Sequence, residues 1–238
     1  MAALLVVYFP LADPLVGTEL LDLYAEAGVD VAECGWPARE PYLDGPDVRA
    51  AMARAGDAAA AWADVREWLS GRVRPKPLLM TYAEPGHPGL ADSVFFAGAY
   101  GLIAVAPAGD ATRLDLEASA RNAGAAVCSF LPLPLTEPDV EAARRAQGYV
   151  MLQAAPGVTG PRAALDPANA ARIAELRMRG VAAPVVLGFG VSTGDQARAA
   201  RDLGADGVVV GSAALRAALA GRTALAALLR DLRRGLDG

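Results

Sequence analysis

The sequence predicts an α/β fold, a single (β/α)₈ TIM barrel spanning residues 1–238, and three observations predict it. Eight short apolar runs recur along the chain, separated by stretches of helical composition. The runs are apolar throughout instead of alternating, as strands of a parallel sheet buried on both faces must be. Eight strand–helix units in 238 residues also match a barrel, whose usual length is about 250. A doubly wound open sheet is the structural alternative. It would carry a GxGxxG turn after its first strand, and none follows Phe9.

The elements follow in order. Strands are expected at 4–9, 29–34, 77–82, 102–106, 126–131, 149–153, 184–189 and 207–210. Helices are expected at 15–27, 48–70, 110–122, 137–146, 167–179 and 196–203, where Ala, Leu, Arg and Glu dominate. Their apolar residues fall three and four apart, the period of one helix face. A further helix is expected to start at Gly211–Ser212, after the last strand. No linker, charge run or low-complexity block divides the chain, which therefore reads as one domain.

Composition excludes several functions. The net charge is −5, against a phosphate-backbone binder, so no nucleic-acid partner is expected. Cys34 and Cys128 are the only cysteines and form no CxxC pair, against a disulfide framework or a cysteine zinc site. The single histidine, His87, excludes a multi-histidine metal site within the chain. The single lysine, Lys76, precedes the third strand, on the face of a barrel away from the active site, against Schiff-base chemistry. The start, MAALLVVYFPLADPL, has no basic segment before its apolar run, and no apolar stretch approaches the roughly 20 residues of a membrane span. The expectation is a cytoplasmic protein with no membrane partner.

Active sites of barrels sit at the C-terminal ends of the strands. Glu33 closes the second apolar run there, and burial at the barrel mouth would raise its pKa toward the range of a general acid and base. Asp44 lies in the following loop, in Leu-Asp-Gly-Pro, a pattern that also serves as a turn and helix cap. His87, in a loop after the third strand, reads as a solvated or capping residue before a catalyst. Gly190 and Gly211–Ser212 open the helices after strands seven and eight, where bare backbone amides form an anion site and barrels commonly hold phosphate. Gly157–Gly160 after strand six would add a third amide and a lid.

At these residues the chain resembles the tryptophan synthase alpha subunit family, which includes stand-alone indole-3-glycerol phosphate lyases. The resemblance rests on ECGWPAREPYLDGP (33–46), PLLMTYAEPG (77–86), GVTGPRAAL (157–165), VLGFGVSTGDQ (186–196) and GADGVVVGSA (204–213), in order along the chain. It implies a lyase: retro-aldol cleavage of indole-3-glycerol phosphate into indole and glyceraldehyde 3-phosphate, in tryptophan biosynthesis, with no cofactor, no metal and no Schiff base. Glu33 would protonate the indole ring carbon and help deprotonate the side-chain hydroxyl, while Asp44 would bond the indole N–H. Tyr8, Ile103 and Tyr149 would line the indole pocket, and Thr159 would help the lid close. Gly160, Gly190, Gly211 and Ser212 would hold the phosphate. A tryptophan synthase beta subunit is the implied partner.

The chain departs from the family pattern in places. It starts at strand one, lacking the usual N-terminal helix before it. Ala38 and Arg39 replace an aromatic–small pair, Glu40 stands where an aspartate is usual, and Met151 replaces a strand-six tyrosine. The acidic-proline signature after strand four is replaced by VAPAGD. These loops touch the beta subunit in the family, which keeps two other readings open. One is a catalytically weakened alpha-like barrel acting as a binding partner of a beta subunit; the other is an isomerase or synthase of another phosphorylated metabolite.

Overall fold

The structure is a computed structural model that describes residues 2–155, 157 and 164–238, the side chain of Ser93 aside. Eight parallel strands close into a barrel in sequence order: β1 (Leu4–Pro10), β2 (Val31–Gly35), β3 (Lys76–Tyr82), β4 (Gly101–Val105), β5 (Ala126–Leu131), β6 (Val150–Gln153), β7 (Val185–Gly188) and β8 (Gly207–Val210). β8 pairs back onto β1, with Leu4 opposite Gly207 and Val7 opposite Val210. Closure leaves no unpaired strand edge. At the seam a Cβ on Gly207 would overlap the Leu4 carbonyl oxygen, so only glycine lets these two strands meet. The strands are buried almost throughout, which is why their sequences run apolar without alternation.

The helices are α1 (Leu21–Glu26), α2 (Pro46–Arg54), α3 (Ala58–Trp68), α4 (Ala111–Asn122), α5 (Glu137–Arg144), α6 (Ala168–Met178), α7 (Gly194–Asp202), α8 (Ser212–Ala220) and α9 (Arg222–Asp237). Three of the sequence expectations change. The helix expected at 15–27 shortens to a 3₁₀ turn, Thr18–Leu20, running into α1. Asp13 takes the residues before it: its carboxylate accepts the Leu15 amide and a bidentate pair from Arg54, holding 13–16 as a turn. The helix expected at 48–70 breaks in two. Gly56 leaves the helix to donate to the Ala12 carbonyl, and the Asp57 side chain then caps α3 by accepting from Ala59 and Ala60.

The third unit has no α-helix. Two 3₁₀ turns, Pro88–Leu90 and Ser93–Phe96, join β3 to β4, because Pro85, Gly86, Pro88 and Gly89 break a regular helix there. At the other end, α9 shows the amphipathic pattern most plainly. Leu225, Leu229, Leu232 and Leu236 are buried along one stripe against the barrel. α9 also crosses α7 closely enough that a Cβ on Gly235 would overlap the Gly194 carbonyl oxygen. Asp231 on α9 accepts from the Gly194 amide at 2.6 Å, so the last helix caps the seventh at its first turn.

Candidate active site

The loops after the strands' C-terminal ends surround a cleft. Glu33, on β2, faces it and is only 4% exposed. Its Oε2 accepts a 2.6 Å hydrogen bond from the Tyr149 hydroxyl across the barrel. Burial pushes the Glu33 pKa up to about 7; the Tyr149 hydrogen bond pulls it down, and the charge of Asp44 pushes it up. A carboxyl balanced near neutrality can both give and take a proton.

Asp44 faces the same cleft from the loop between β2 and α2 and is 5% exposed. Tyr82, the last residue of β3, donates its hydroxyl to Asp44 Oδ2 at 2.8 Å and accepts the Leu43 amide at 3.3 Å. Arg49 on α2 donates to the Asp44 carbonyl at 2.7 Å. Farther along, the amides of Arg39 and Glu40 both donate to Glu84 in the loop after β3. Phe95 packs edge to face on both Trp36 and His87, and those two rings meet at a tilt. The loop that carries the aspartate is therefore tied to β3 at several points.

The two late glycine turns also line this cleft. Phe189 (φ 74°) and Gly190 (φ 93°) follow one another in the left-handed region, a conformation that costs a phenylalanine about 1–3 kcal/mol. Stacking of the Phe189 ring on Phe130, centroids 5.9 Å apart, helps hold it there. Gly211 precedes α8 and lines the cleft, and a Cβ placed on it would meet nothing nearer than Tyr8 Cβ at 4.0 Å. Ser212 Oγ is buried and has no partner among the described residues. Such an unpaired hydroxyl at a helix start is what an anion would satisfy.

The sequence-derived residues thus fall into three groups. Tyr8, Glu33, Asp44, Gly190, Gly211 and Ser212 line one cleft. Tyr149 is fully buried and reaches the site only through its hydroxyl on Glu33, and Ile103 lies fully buried in the barrel core, outside the cleft lining. Thr159 and Gly160 lie outside the described residues. Tyr8 has a distinctive place: it pairs in register with Glu33, its ring lies over Gly35, and its buried hydroxyl has no partner among the described residues.

Other sequence candidates resolve plainly. His87 caps a 3₁₀ turn, its Nδ1 accepting from Gly89, and burial lowers its pKa to about 4. Lys76 begins β3 at the far end of the barrel, above the Tyr100 ring. No three of His, Cys, Asp and Glu converge as metal ligands among the described residues. Sequence reasoning missed Tyr82 as the partner of Asp44, and Arg216, which lines the cleft from α8. Tyr82 carried a signal, since it is a polar residue closing an apolar strand at the barrel mouth.

Fold and cleft together define a (β/α)₈ barrel whose mouth gathers two buried carboxylates and two glycine turns in one cleft. A family model described as tryptophan synthase alpha chain matches residues 2–229. The tryptophan synthase alpha chain of Synechococcus elongatus is 32% identical, over 98% of this chain and 91% of its own. That of Geobacter sulfurreducens is 34% identical, over 89% of this chain and 83% of its own. Tryptophan synthase of Mycobacterium tuberculosis superposes with a TM-score of 0.82 at 26% identity, over 99% of this chain and 93% of that one. The chain belongs to the tryptophan synthase alpha chain family. It is a carbon–carbon lyase, and the reaction of its family is cleavage of indole-3-glycerol phosphate to indole and glyceraldehyde 3-phosphate. Among the described residues no helix is long and apolar enough to cross a membrane.

Proposed function

We propose that this chain carries out its cleavage with Glu33 as the proton donor and acceptor, Asp44 as the partner of the indole nitrogen, and the turns at Gly190 and Gly211–Ser212 as the phosphate seat. One observation supports the reading: both carboxylates and those two turns line a single cleft. The substrate has the matching layout, an indole ring at one end and a phosphate at the other. Apolar residues of the same lining, among them Leu43, Met80, Val105 and Phe130, supply a surface for the ring.

The steps follow from the positions. Protonated Glu33 gives its proton to the indole ring carbon that bears the glycerol chain, and positive charge develops on the ring nitrogen. Asp44 accepts the N–H hydrogen bond and stabilises that charge most where it is fullest, so it lowers the barrier more than it tightens binding. The Glu33 carboxylate then takes the proton of the adjacent side-chain hydroxyl. The carbon–carbon bond breaks, the oxygen becomes the aldehyde of glyceraldehyde 3-phosphate, and the bonding electron pair returns to the ring to give neutral indole. Glu33 ends protonated, ready for the next turnover.

We also infer that the chain turns over by itself, in the cytoplasm, with a beta subunit as an optional partner. The ties of the Asp44 loop to Tyr82 and Glu84 support this, since a loop already held has less entropy to lose on closing. The test is steady-state release of indole from indole-3-glycerol phosphate by the purified chain, then with a beta subunit titrated in. Saturable release by the chain alone, changed only a few-fold by the partner, is expected. Activation by about a hundredfold, near the upper end of usual coupling energies, would overturn the independence. No indole under either condition would overturn the cleavage.

A further inference from the structure

Among the described residues, Arg216 is the one cation that lines the cleft. It stands on α8 four residues after Ser212, so it shares the helix face that rises from the proposed phosphate seat. Its Nη1 donates to Asp47 Oδ2 at 2.6 Å, and both side chains are more than a third exposed. Asp47 is in the first turn of α2, three residues past Asp44. One ion pair therefore links the helix at the proposed phosphate seat to the helix that follows the catalytic loop.

We propose that Arg216 is a specificity residue that recognises the phosphomonoester end of the substrate, and that Asp47 competes with the phosphate for it. The inference rests on the placement of the phosphate at Gly211–Ser212. The electrostatics favour such a group. The other ionisable lining residues with acidic character, Glu33 and Asp44, repel a phosphate dianion, and helix-start amides supply only about half a positive charge. Arg216 supplies a whole one, in a planar fork that matches two phosphate oxygens. Its bond to Asp47 is an exposed pair, the weak and exchangeable kind. A phosphate carries more charge and more acceptor oxygens than that one carboxylate, so it takes the guanidinium when it enters. Asp47 then acts as a brake that lowers apparent phosphate affinity and holds Arg216 in reach of the cleft.

This assigns opposite signs to two neighbouring substitutions. By titration calorimetry at fixed ionic strength, Arg216→Met should weaken glycerol 3-phosphate binding roughly ten- to a hundredfold, the range for a lost hydrogen bond to a charged group. Arg216→Lys should recover part of it. Asp47→Asn, which keeps the size but removes the competing charge, should tighten glycerol 3-phosphate a few-fold. Uncharged indole should bind all four proteins alike. Wild-type binding of glycerol 3-phosphate matched by Arg216→Met would overturn the proposal alone. Weakening of both ligands by both the Arg216→Met and Asp47→Asn substitutions would also overturn it, because that is the signature of a structural tie between α2 and α8. A wild-type chain that binds no glycerol 3-phosphate would instead remove the phosphate seat itself, and the proposal with it.

Discussion

Three influences meet on the Glu33 carboxyl, and they can be separated by substitution. Burial and the charge of Asp44 raise its pKa, and the Tyr149 hydroxyl, by bonding the charged form, lowers it; the result is about 7. Tyr149→Phe removes only the lowering influence. The Glu33 pKa should then rise, and the alkaline limb of kcat/KM, which follows loss of the donated proton, should move to higher pH. A displacement of up to about one pH unit corresponds to roughly 1.4 kcal/mol of differential stabilisation. A pH–rate profile of the two proteins checks this, and a limb that stays fixed or moves down would separate Tyr149 from the proton chemistry. The pair also shows what sequence can and cannot give. Glu33 was legible as a lone carboxylate in an otherwise apolar strand, although it lies at the middle of β2 and not at its end. Tyr149 was legible only as an aromatic near the site, because its partner lies 116 positions away and a hydrogen bond across a barrel leaves no local pattern.

At the scale of elements, the proposed phosphate seat depends on how α7 is seated. Its first turn is capped by Asp231 and pressed against Gly235 of α9, four residues beyond Gly190 in the chain. Gly235→Ala improves helix propensity by up to about 1 kcal/mol. It also pushes a methyl into the Gly194 carbonyl, an overpacking cost of about 1–3 kcal/mol that a backbone contact cannot relieve cheaply. The expected net result is a melting temperature a few degrees lower, since about 1 kcal/mol shifts a chain of this size by about 2–4 °C. KM should rise more than kcat falls, because the displaced α7 carries the Gly190 turn with it. A thermal melt unchanged within one degree would show that the helix crossing yields to a methyl group without cost. The strands were readable from apolar runs, with ends off by one or two residues. The helix breaks were not, because Asp57 as a cap and Asp13 as a turn former act through particular acceptors instead of through periodicity.

Across the whole molecule, the barrel brings together residues from both ends of the chain: Tyr8 and Glu33 from the first two strands, Gly190 and Gly211 from the last two. That closure explains why so much of the site could be read in advance. Parallel strands deliver their C-terminal residues to one rim, so a carboxylate after strand two and glycines after strands seven and eight must approach one another once the barrel is recognised. Arg216 escaped this logic because it sits a turn inside a helix, where a lone arginine looks like any solvated one. The central claim is that Glu33 moves the proton in the cleavage while the proposed phosphate seat binds independently of it. The most direct measurement is indole release from indole-3-glycerol phosphate by Glu33→Gln beside the wild type, with glycerol 3-phosphate affinity measured on both. Turnover should fall by about 10² to 10⁴, the usual contribution of a general acid and base, while the affinity stays within a few-fold. Wild-type turnover in Glu33→Gln would contradict the account.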